Sequence, residues 1–432
     1  MQTFLILWFG QLVSAIGSQM TLFALTVWAW EQTGSATTLA LIGFFALLSG
    51  MVATPLVGHW VDRYPRKRLM LIGDSAIALA VLSIFWLSQT QQLQLWHLYA
   101  AALWIGPLSQ LQGLAYQASL TTLLPKKHYT RASSLGMMIF YGSQILAPAF
   151  AGTLYPSLGL TGIMAIDLGT FCIALVTLCV VRIPTPSADS TANEPSKAHL
   201  WHSLTTGIRY ICDRPALIRL LSITTTFWFF HELADTVVSP MILAQTNNNT
   251  TVLGTVSSAM GLGGVLGTLA ITIWDGTQRR EQDLALGMMG VGLSRIAFGW
   301  GRSPAVWLIT QFLASLQFPL FGSAEQALWL ATVEPQLQGR VFALQRLSQQ
   351  GAIALAMLIA GPLADHVFEP ALATDGFGVV LLGQYFQPGP GAGTRFLITL
   401  CAGCMALVGL LALRLPALQQ LESDGHKSEL GS

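Results

Sequence analysis

The segment GHWVDRYPRKR, residues 58–68, is a short hydrophilic interruption between two long apolar runs. The runs cover about residues 37–61 and 69–87, and each is long enough to cross a bilayer as a helix. Four residues of the segment are positively charged: Arg63, Arg66, Lys67 and Arg68. Cationic loops stay on the cytoplasmic side of a membrane because their transfer across the bilayer is unfavourable. The segment therefore predicts a cytoplasmic turn between two transmembrane helices, and this turn orients all the other spans.

The composition indicates a polytopic membrane protein. Hydrophobic residues fill 53% of the 432 positions and charged residues only 9%, against roughly 25% in soluble domains. The formal net charge of +1 gives no indication of a nucleic-acid partner. The five cysteines form no disulfide pattern and the histidines show no metal-ligand spacing, so neither a metal nor a cofactor is expected.

Twelve stretches of about 20 apolar residues follow one another along the chain. They predict an all-α membrane protein with twelve transmembrane helices in two six-helix bundles. The predicted divisions are an N-terminal bundle, a cytoplasmic linker, a C-terminal bundle and a cytoplasmic tail, at residues 1–182, 183–215, 216–416 and 417–432. Apolar residues at helical spacing over His199–Cys212 predict an amphipathic helix at the membrane surface, with a disordered linker as the alternative.

The distribution of charge predicts the orientation. Of the 21 Lys and Arg residues, all except Arg295, Arg302 and Arg395 lie in segments assigned to the cytoplasmic side. This asymmetry predicts a multi-pass protein with both termini in the cytoplasm. The first apolar run begins close to Met1 with no basic segment before it, so we expect a retained first helix and not a cleaved signal peptide.

The two halves of the chain also share features at a nearly constant interval. Asp62 after the second span has a counterpart in Asp275 after the eighth, and Pro148 in the fifth span has one in Pro362 in the eleventh. Two separate features with nearly one interval favour duplicated halves.

The order of residues in the segment 58–68 resembles the loop signature between the second and third helices of the major facilitator superfamily of secondary transporters. The signature is Gly58, then Asp62-Arg63, then Arg66-Lys67. The resemblance covers the whole chain, because the twelve spans and the central linker also match. In this family the loop acts between helices, and Gly58 would permit close helix contact, Asp62 would accept hydrogen bonds from a helix N-terminus, and the basic residues would cap carbonyl groups. These five residues are therefore predicted to form a conformational latch; the alternative is that their charges only determine topology.

Further segments are similar to the branch that contains the macrolide-efflux proteins and the enterobactin exporter. They are the opening FLILWFGQLVSAIGSQMTLFALTVWAWEQTGSATTLAL, the pair Gly339-Arg340 and the segment AGPLAD at 360–365. The similarity implies a prokaryotic inner-membrane exporter of drug-like or siderophore-like compounds, driven by proton antiport. Many proton-coupled members carry a buried arginine shortly before a Gln-Gly pair in the fourth span. Here the pair is Gln112-Gly113, and Ser109 stands at the arginine position.

Ionisable side chains inside a membrane are functional candidates, because a central charge is unfavourable by about 2.5–3.5 kcal/mol. The seventh span contains His231, Glu232 and Asp235. The two carboxyl groups are three residues apart on one helix face, so their mutual repulsion favours proton binding by one of them. We predict a proton or substrate site here; the alternative is an ion pair with Arg295 at an extracellular gate.

Three more acidic residues lie in apolar runs. Glu325 in the tenth span is predicted to bind a cationic substrate or to transfer protons, with a pairing to an arginine as the alternative. Asp167 in the sixth span is a further candidate, whereas Asp74 is expected to pair with the basic loop. Polar residues of the first and fourth spans are predicted to line a cavity or to join helices: Gln11, Gln110 and Gln117, with Ser14, Ser18, Gln19 and Ser119.

The predicted function is secondary active export of a hydrophobic or amphipathic small molecule by alternating access. No phosphate-binding loop is present in the sequence, and the loops are too short to support an active site, so neither an ATP-driven pump nor an enzyme is predicted. The expected partners are a small-molecule substrate, protons and the lipid bilayer, and the expected state is a monomer. The alternatives are an uptake porter or uncoupled facilitator of the same fold and, more distantly, a membrane enzyme or sensor.

Overall fold

The computed structural model describes residues 2–125, 128–181, 205, 207–274, 279–373, 376, 378 and 383–414, which are almost entirely helical and contain no strand. The helices are α1 (Gln2–Thr33), α2 (Ala36–Arg63), α3 (Arg66–Gln89), α4 (Leu95–Leu123), α5 (Tyr129–Val180), α6 (Pro215–Thr236), α7 (Val238–Gln245), α8 (Thr250–Trp274), α9 (Arg280–Trp300), α10 (Pro304–Thr332), α11 (Gln338–Leu363), α12 (Glu369–Leu372) and α13 (Ala392–Arg414). A π-helical turn, Ala364–Phe368, joins α11 to α12.

Helix α5 contains two membrane crossings. Its 52 residues are interrupted at Gly159, where φ is 64° and ψ is −171°. Glycine adopts this backbone conformation readily because it has no Cβ atom. The interruption lies between the predicted fifth and sixth spans, and we call the two parts the first and second arms of α5.

Eight helices in the described part of the chain are long and apolar enough to cross a membrane, with α5 counted once. Helices α4, α6 and α9 are not among them; α9, for example, carries Glu281, Asp283 and Arg295. With these three helices and both arms of α5, the described residues contain the twelve transmembrane helices that the sequence predicts.

The chain divides into two compact units. The first contains the described residues within 1–190 and 239–261, and the second contains those within 191–238 and 262–432. Helix α8 begins in the first unit and continues into the second after Gly261. Residues 239–261 thus group with the first unit, although they lie within the predicted C-terminal bundle. The predicted domain boundaries stay a prediction.

In the first unit, α1 packs along α5, and α4 packs against α2 and α3. The contact between α2 and α4 depends on small residues. A Cβ atom at Gly106 would lie 2.3 Å from the Ala46 carbonyl oxygen, and one at Gly50 would lie 3.3 Å from the Gly106 carbonyl oxygen. Small residues permit this close approach of helix backbones in a membrane protein, where packing contributes much of the association energy.

In the second unit, α6 packs against α11 and α13, and α9 packs against α10 and α13. The pairing repeats that of the first unit, where the first span contacts the fifth and sixth, and the third contacts the fourth and sixth. A close contact also recurs, because a Cβ atom at Gly263 of α8 would lie 2.4 Å from the Phe312 carbonyl oxygen of α10. The interval between Gly50 and Gly263 equals that between Asp62 and Asp275, which is consistent with duplicated halves.

Only the end of the predicted amphipathic helix can be described. Residues 207–212 are helical, Tyr210 and Ile211 are buried in the core of the second unit, and Ile208 is exposed. Residues 199–204 and 206, the rest of the linker, Asp275 and the tail from 415 lie outside the described residues.

Candidate functional site

The basic segment 58–68 contacts the rest of the first unit mainly through two side chains. Lys67 Nζ donates hydrogen bonds to the carbonyl oxygens of Cys179 and Val181, at 2.8 and 2.6 Å, where α5 ends. Arg66 Nη1 donates to the Ala118 carbonyl oxygen of α4 at 2.6 Å. Carbonyl groups in the last turn of a helix lack partners within the helix, and a cation also compensates the helix dipole there. Lys67 therefore caps the end of α5, and Arg66 adds a charge-assisted hydrogen bond to α4, so both residues stabilise the first unit itself.

The remaining latch residues make no such contacts in this structure. Asp62 and Arg63 are exposed, and Asp62 has no hydrogen-bond or ion-pair partner among the described residues. A Cβ atom added to Gly58 would meet nothing within 4 Å, so the expected close helix contact at this glycine is not made here. Asp62 is thus available for a contact in another conformation, and its latch role stays a prediction.

The first unit contains an open cavity of about 950 Å³ that is lined by α1, α3, α4 and α5. The lining residues of α4 recur at the spacing of one helix face, and those of α5 do the same. On α4 they are Ile105, Ser109, Gln112, Gly113, Tyr116, Gln117 and Leu120; on α5 they are Tyr129, Ala132, Ser133, Gly136, Met137, Ile139, Phe140 and Ser143, with Phe171 from the second arm. The volume falls in the range of about 300–1,000 Å³ that is typical of small-molecule sites.

Some of the predicted cavity residues line this cavity and others do not. Gln11 and Gln117 line the cavity, and so do Ser14, Ser18 and Gln19. Gln110 is not part of the lining; its Cγ atom lies against Gly50 of α2. Ser119 is also outside, since it is fully buried and donates a hydrogen bond to the Tyr116 carbonyl oxygen at 2.7 Å.

Asp74 is a cavity residue that the sequence did not indicate. It was expected to pair with the basic loop, but its hydrogen-bond donor is Gln11 Nε2, at 3.4 Å from Asp74 Oδ2. Gln112 Nε2 in turn donates to Gln11 Oε1. The chain of donors runs from α4 through α1 to the Asp74 carboxyl group on α3, which is only 4% exposed.

Asp167 lies on the second arm of α5, where this arm packs against α1. Ser18 Oγ donates to Asp167 Oδ1 at 3.3 Å, and the other oxygen, Oδ2, is buried without a partner among the described residues. A Cβ atom at Gly17 would lie 2.8 Å from Oδ1, so α1 approaches closely here. Asp167 is not among the residues that line the cavity, and its role as a site residue stays a prediction.

In the second unit, polar residues form a line along one face of α6. Thr224, Trp228, His231 and Asp235 follow one another at intervals of three or four residues, as one helix face requires. His231 lies among aromatic rings, with the Phe318 ring centroid at 4.7 Å and that of Trp228 at 5.7 Å. The imidazole Nδ1 and the Trp228 indole nitrogen are buried and have no hydrogen-bond partner among the described residues.

Glu325 on α10 lies at one end of this line. Its Oε1 accepts hydrogen bonds from Gln345 Nε2 at 3.0 Å and Gln349 Nε2 at 2.6 Å, both on α11. Thr224 and Trp228 face the same carboxyl group from α6. The group is buried, and the alternative pairing with an arginine is not found among the described residues. Gln345 and Gln349 were not singled out in the sequence, although their spacing of four places both on one helix face.

Asp235 lies at the other end and forms an ion pair with Arg295 of α9. Arg295 is almost completely buried. The pair is the alternative that the sequence left open for this carboxyl group. Glu232 is not part of it: its Oε1 accepts from Thr236 Oγ1 at 3.5 Å, and it interacts electrostatically with Asp235 and Arg295. The predicted carboxylate pair therefore divides into one charge-compensated group and one without a direct cationic partner among the described residues.

This arrangement suits a transporter. Each unit holds buried carboxyl groups with neutral amide or hydroxyl partners, and such groups can exchange a proton or accept a cation inside a membrane. The sequence model of the Major Facilitator Superfamily matches residues 7–357. The chain belongs to the Major Facilitator Superfamily.

Two named relatives agree with this membership, and a solved structure has the same fold. Macrolide efflux protein A of Streptococcus pyogenes is 25% identical over 370 residues, which cover 84% of this chain and 90% of the relative. The multidrug efflux pump Tap of Mycolicibacterium fortuitum is 25% identical over 380 residues, covering 84% and 89%. The crystal structure of the nucleoside transporter NupG has a TM-score of 0.71 at 10% identity and covers 96% of this chain and 99% of its own, which shows a common fold.

Proposed function

We propose that this protein exports hydrophobic or amphipathic small molecules from the cytoplasm by alternating access, and that proton entry drives the export. Support for efflux comes from the two relatives, whose names describe a macrolide efflux protein and a multidrug efflux pump. Buried binding groups near the middle of the membrane are the usual arrangement for secondary transporters of this architecture.

The observation that carries proton coupling is the environment of Glu325. An ionised carboxyl group inside a membrane is unfavourable unless it is paired with a cation. Its hydrogen-bond donors are the neutral side chains of Gln345 and Gln349. Two amide donors stabilise the ionised form of a group that has no cationic partner among the described residues, so Glu325 is our candidate for binding and releasing a proton during a transport cycle.

Glu232 is the second proton-handling group in this proposal. Asp235 is paired with the Arg295 guanidinium, whereas Glu232 has no direct cationic partner among the described residues and accepts a hydrogen bond from Thr236. His231 and Trp228 lie on the same face of α6 between Asp235 and the Glu325 carboxyl group. Protons would enter at Glu232 and reach Glu325 along this face, with water molecules as carriers.

Proton coupling is tested with purified protein in liposomes under an imposed pH gradient, followed with a pH-sensitive dye. We expect a macrolide or tetraphenylphosphonium to dissipate the gradient with the natural protein. Glu325→Gln should abolish this dissipation, because the amide cannot release a proton. The matched control is Glu334→Gln, since Glu334 is an exposed residue paired with Arg214. Compound flux without proton movement would indicate an uncoupled facilitator, and the absence of any flux would contradict the proposal.

We also propose that the protein is a monomer in the prokaryotic inner membrane, with both termini in the cytoplasm. The excess of Lys and Arg on one side of the predicted spans supports this orientation. Asp62 would then bind, in an outward-facing state, a partner that it lacks in the present structure, and so would act as a cytoplasmic latch.

A further inference from the structure

The proton-coupling residues proposed above all lie in the second unit, and they leave the cavity of the first unit without a role. Its lining contains one carboxyl group, that of Asp74, and no Lys, Arg or His among the described residues. Gln11 donates to this carboxyl group and Gln112 donates to Gln11, and neither amide carries a formal charge. The cavity therefore carries a negative charge at Asp74 that no described lining residue compensates.

One oxygen of the Asp74 carboxyl group at the cavity wall retains its capacity to accept a hydrogen bond or to pair with a cation. Gln11 occupies Oδ2, whereas Oδ1 has no hydrogen-bond partner among the described residues. The hydroxyl group of Tyr116, which lines the same cavity, is also buried without such a partner. Unsatisfied buried polar groups are unfavourable and are typically completed by a ligand or by water.

The remaining walls provide surfaces for an organic cation. The rings of Tyr116, Tyr129, Phe140 and Phe171 line the cavity together with apolar residues such as Ile77 and Met137. Aromatic faces attract organic cations, and the attraction increases when the cation is desolvated. The combination of one carboxyl group, several rings and no basic residue favours a bulky cation over a neutral or anionic compound.

We propose that the first-unit cavity is a binding site for amphipathic organic cations, in which Asp74 pairs with the positive charge of the compound. This assignment rests on the proposed export function and adds a substrate class to it. Gln11 acts as a positioning residue because its hydrogen bond holds Asp74 at the cavity wall, and Gln112 acts through Gln11, whose amide it orients. The pairing supplies a counter-charge that no described lining residue provides.

The test compares two probes of nearly the same shape and opposite charge, tetraphenylphosphonium and tetraphenylborate, in equilibrium binding to the purified full-length protein. We expect the natural protein to bind tetraphenylphosphonium at least tenfold more tightly than tetraphenylborate. Asp74→Asn, which retains the side-chain volume and an acceptor for Gln11, should remove this preference. Asp74→Glu should largely keep it, and Asp213→Asn, at an exposed carboxyl group, should leave it unchanged.

Ser109→Arg is a second variant that leaves Asp74 in place. Ser109 lines the same cavity and is exposed, so an arginine fits there and supplies the missing cation. We expect this variant to lose tetraphenylphosphonium binding and to gain tetraphenylborate binding. The assignment is wrong if the natural protein shows no preference for the cation, or if both Asp74→Asn and Ser109→Arg bind tetraphenylphosphonium as the natural protein does.

Transport assays distinguish this outcome from a failure of the export proposal. Liposomes with the natural protein would show flux of macrolides or dyes even if Asp74 had no part in charge selection. Conversely, tetraphenylphosphonium binding that depends on Asp74, without any flux, would support the site and contradict export.

Discussion

Lys67 illustrates how one residue of a topogenic loop also stabilises tertiary structure. Its ammonium group donates to two carbonyl oxygens at the end of α5, more than 100 residues further along the chain. The neighbouring Arg68 is exposed, and its side chain has no hydrogen-bond or ion-pair partner among the described residues. The same positive charge thus has different consequences at adjacent positions, which sequence alone does not distinguish.

We expect Lys67→Met to lower the stability of the purified protein, because two carbonyl groups lose a charged donor. Hydrogen bonds to charged groups contribute roughly 1.5–3 kcal/mol when buried, and partial exposure of Lys67 places the effect at the lower end. The measurement is thermal unfolding in detergent. Arg68→Met is the matched control and should leave the melting temperature unchanged; equal shifts for the two variants would contradict the capping role.

Asp235 and Glu232 should respond differently to neutralisation. Asp235→Asn leaves the buried Arg295 guanidinium without a counter-charge, so we expect a loss of stability on the order of 2 kcal/mol or more. Glu232→Gln removes no ion pair and should leave the unfolding temperature nearly unchanged while altering the pH dependence of transport. Thermal unfolding and the pH dependence of transport are measured for both variants. A lower unfolding temperature for Glu232→Gln than for Asp235→Asn would contradict this division of roles.

At the level of elements, glycines determine how closely the membrane helices approach one another. Gly106 of α4 lies against α2, where a Cβ atom would also be 2.3 Å from Ser49 Oγ. Gly113, two turns further along the same helix, faces the cavity, and a Cβ atom there meets nothing within 4 Å. Two glycines of one helix therefore have different functions, one in packing and one at an open surface.

Gly106→Ala and Gly113→Ala form a matched pair. Alanine is favoured over glycine within a helix by about 1 kcal/mol, so Gly113→Ala should be neutral or stabilising. Gly106→Ala places a methyl group against the Ala46 carbonyl oxygen and should destabilise the protein because α2 and α4 must separate. Thermal unfolding of the two variants measures the difference, and a stable Gly106→Ala protein would show that this close contact is dispensable.

At the level of the whole molecule, corresponding helices pack against each other in the same combinations within each of the two units. The first, third, fourth, fifth and sixth spans of each unit contact corresponding partners. A duplicated arrangement of this kind is common in secondary transporters, where substrate sites lie between helices near the middle of the bilayer. Buried carboxyl groups occur in both units, on α3 and α5 in the first and on α9 and α10 in the second.

The orientation of the whole chain is tested with cysteine labelling. In a variant with the five native cysteines replaced, we expect Tyr64→Cys, which is exposed at the end of α2, to resist a membrane-impermeant maleimide added to intact cells. The same residue should react in inverted membrane vesicles. Ser303→Cys, at the beginning of α10 on the opposite side, should show the reverse pattern. Labelling of Tyr64→Cys from outside the cell would contradict the proposed topology.

Sequence alone determined the class of fold, the number of crossings and the resemblance to the superfamily. Hydropathy and charge act on each segment as it enters the membrane, so these properties are local in the chain. Tertiary structure alone decided which carboxyl groups have partners. Asp235 pairs with Arg295, and Glu325 contacts two glutamines. Tertiary structure also decided which polar side chains line the cavity: Asp74 does and Gln110 does not. The reason is that the rotation of each helix about its axis depends on packing against its neighbours, and this rotation determines which side chains meet.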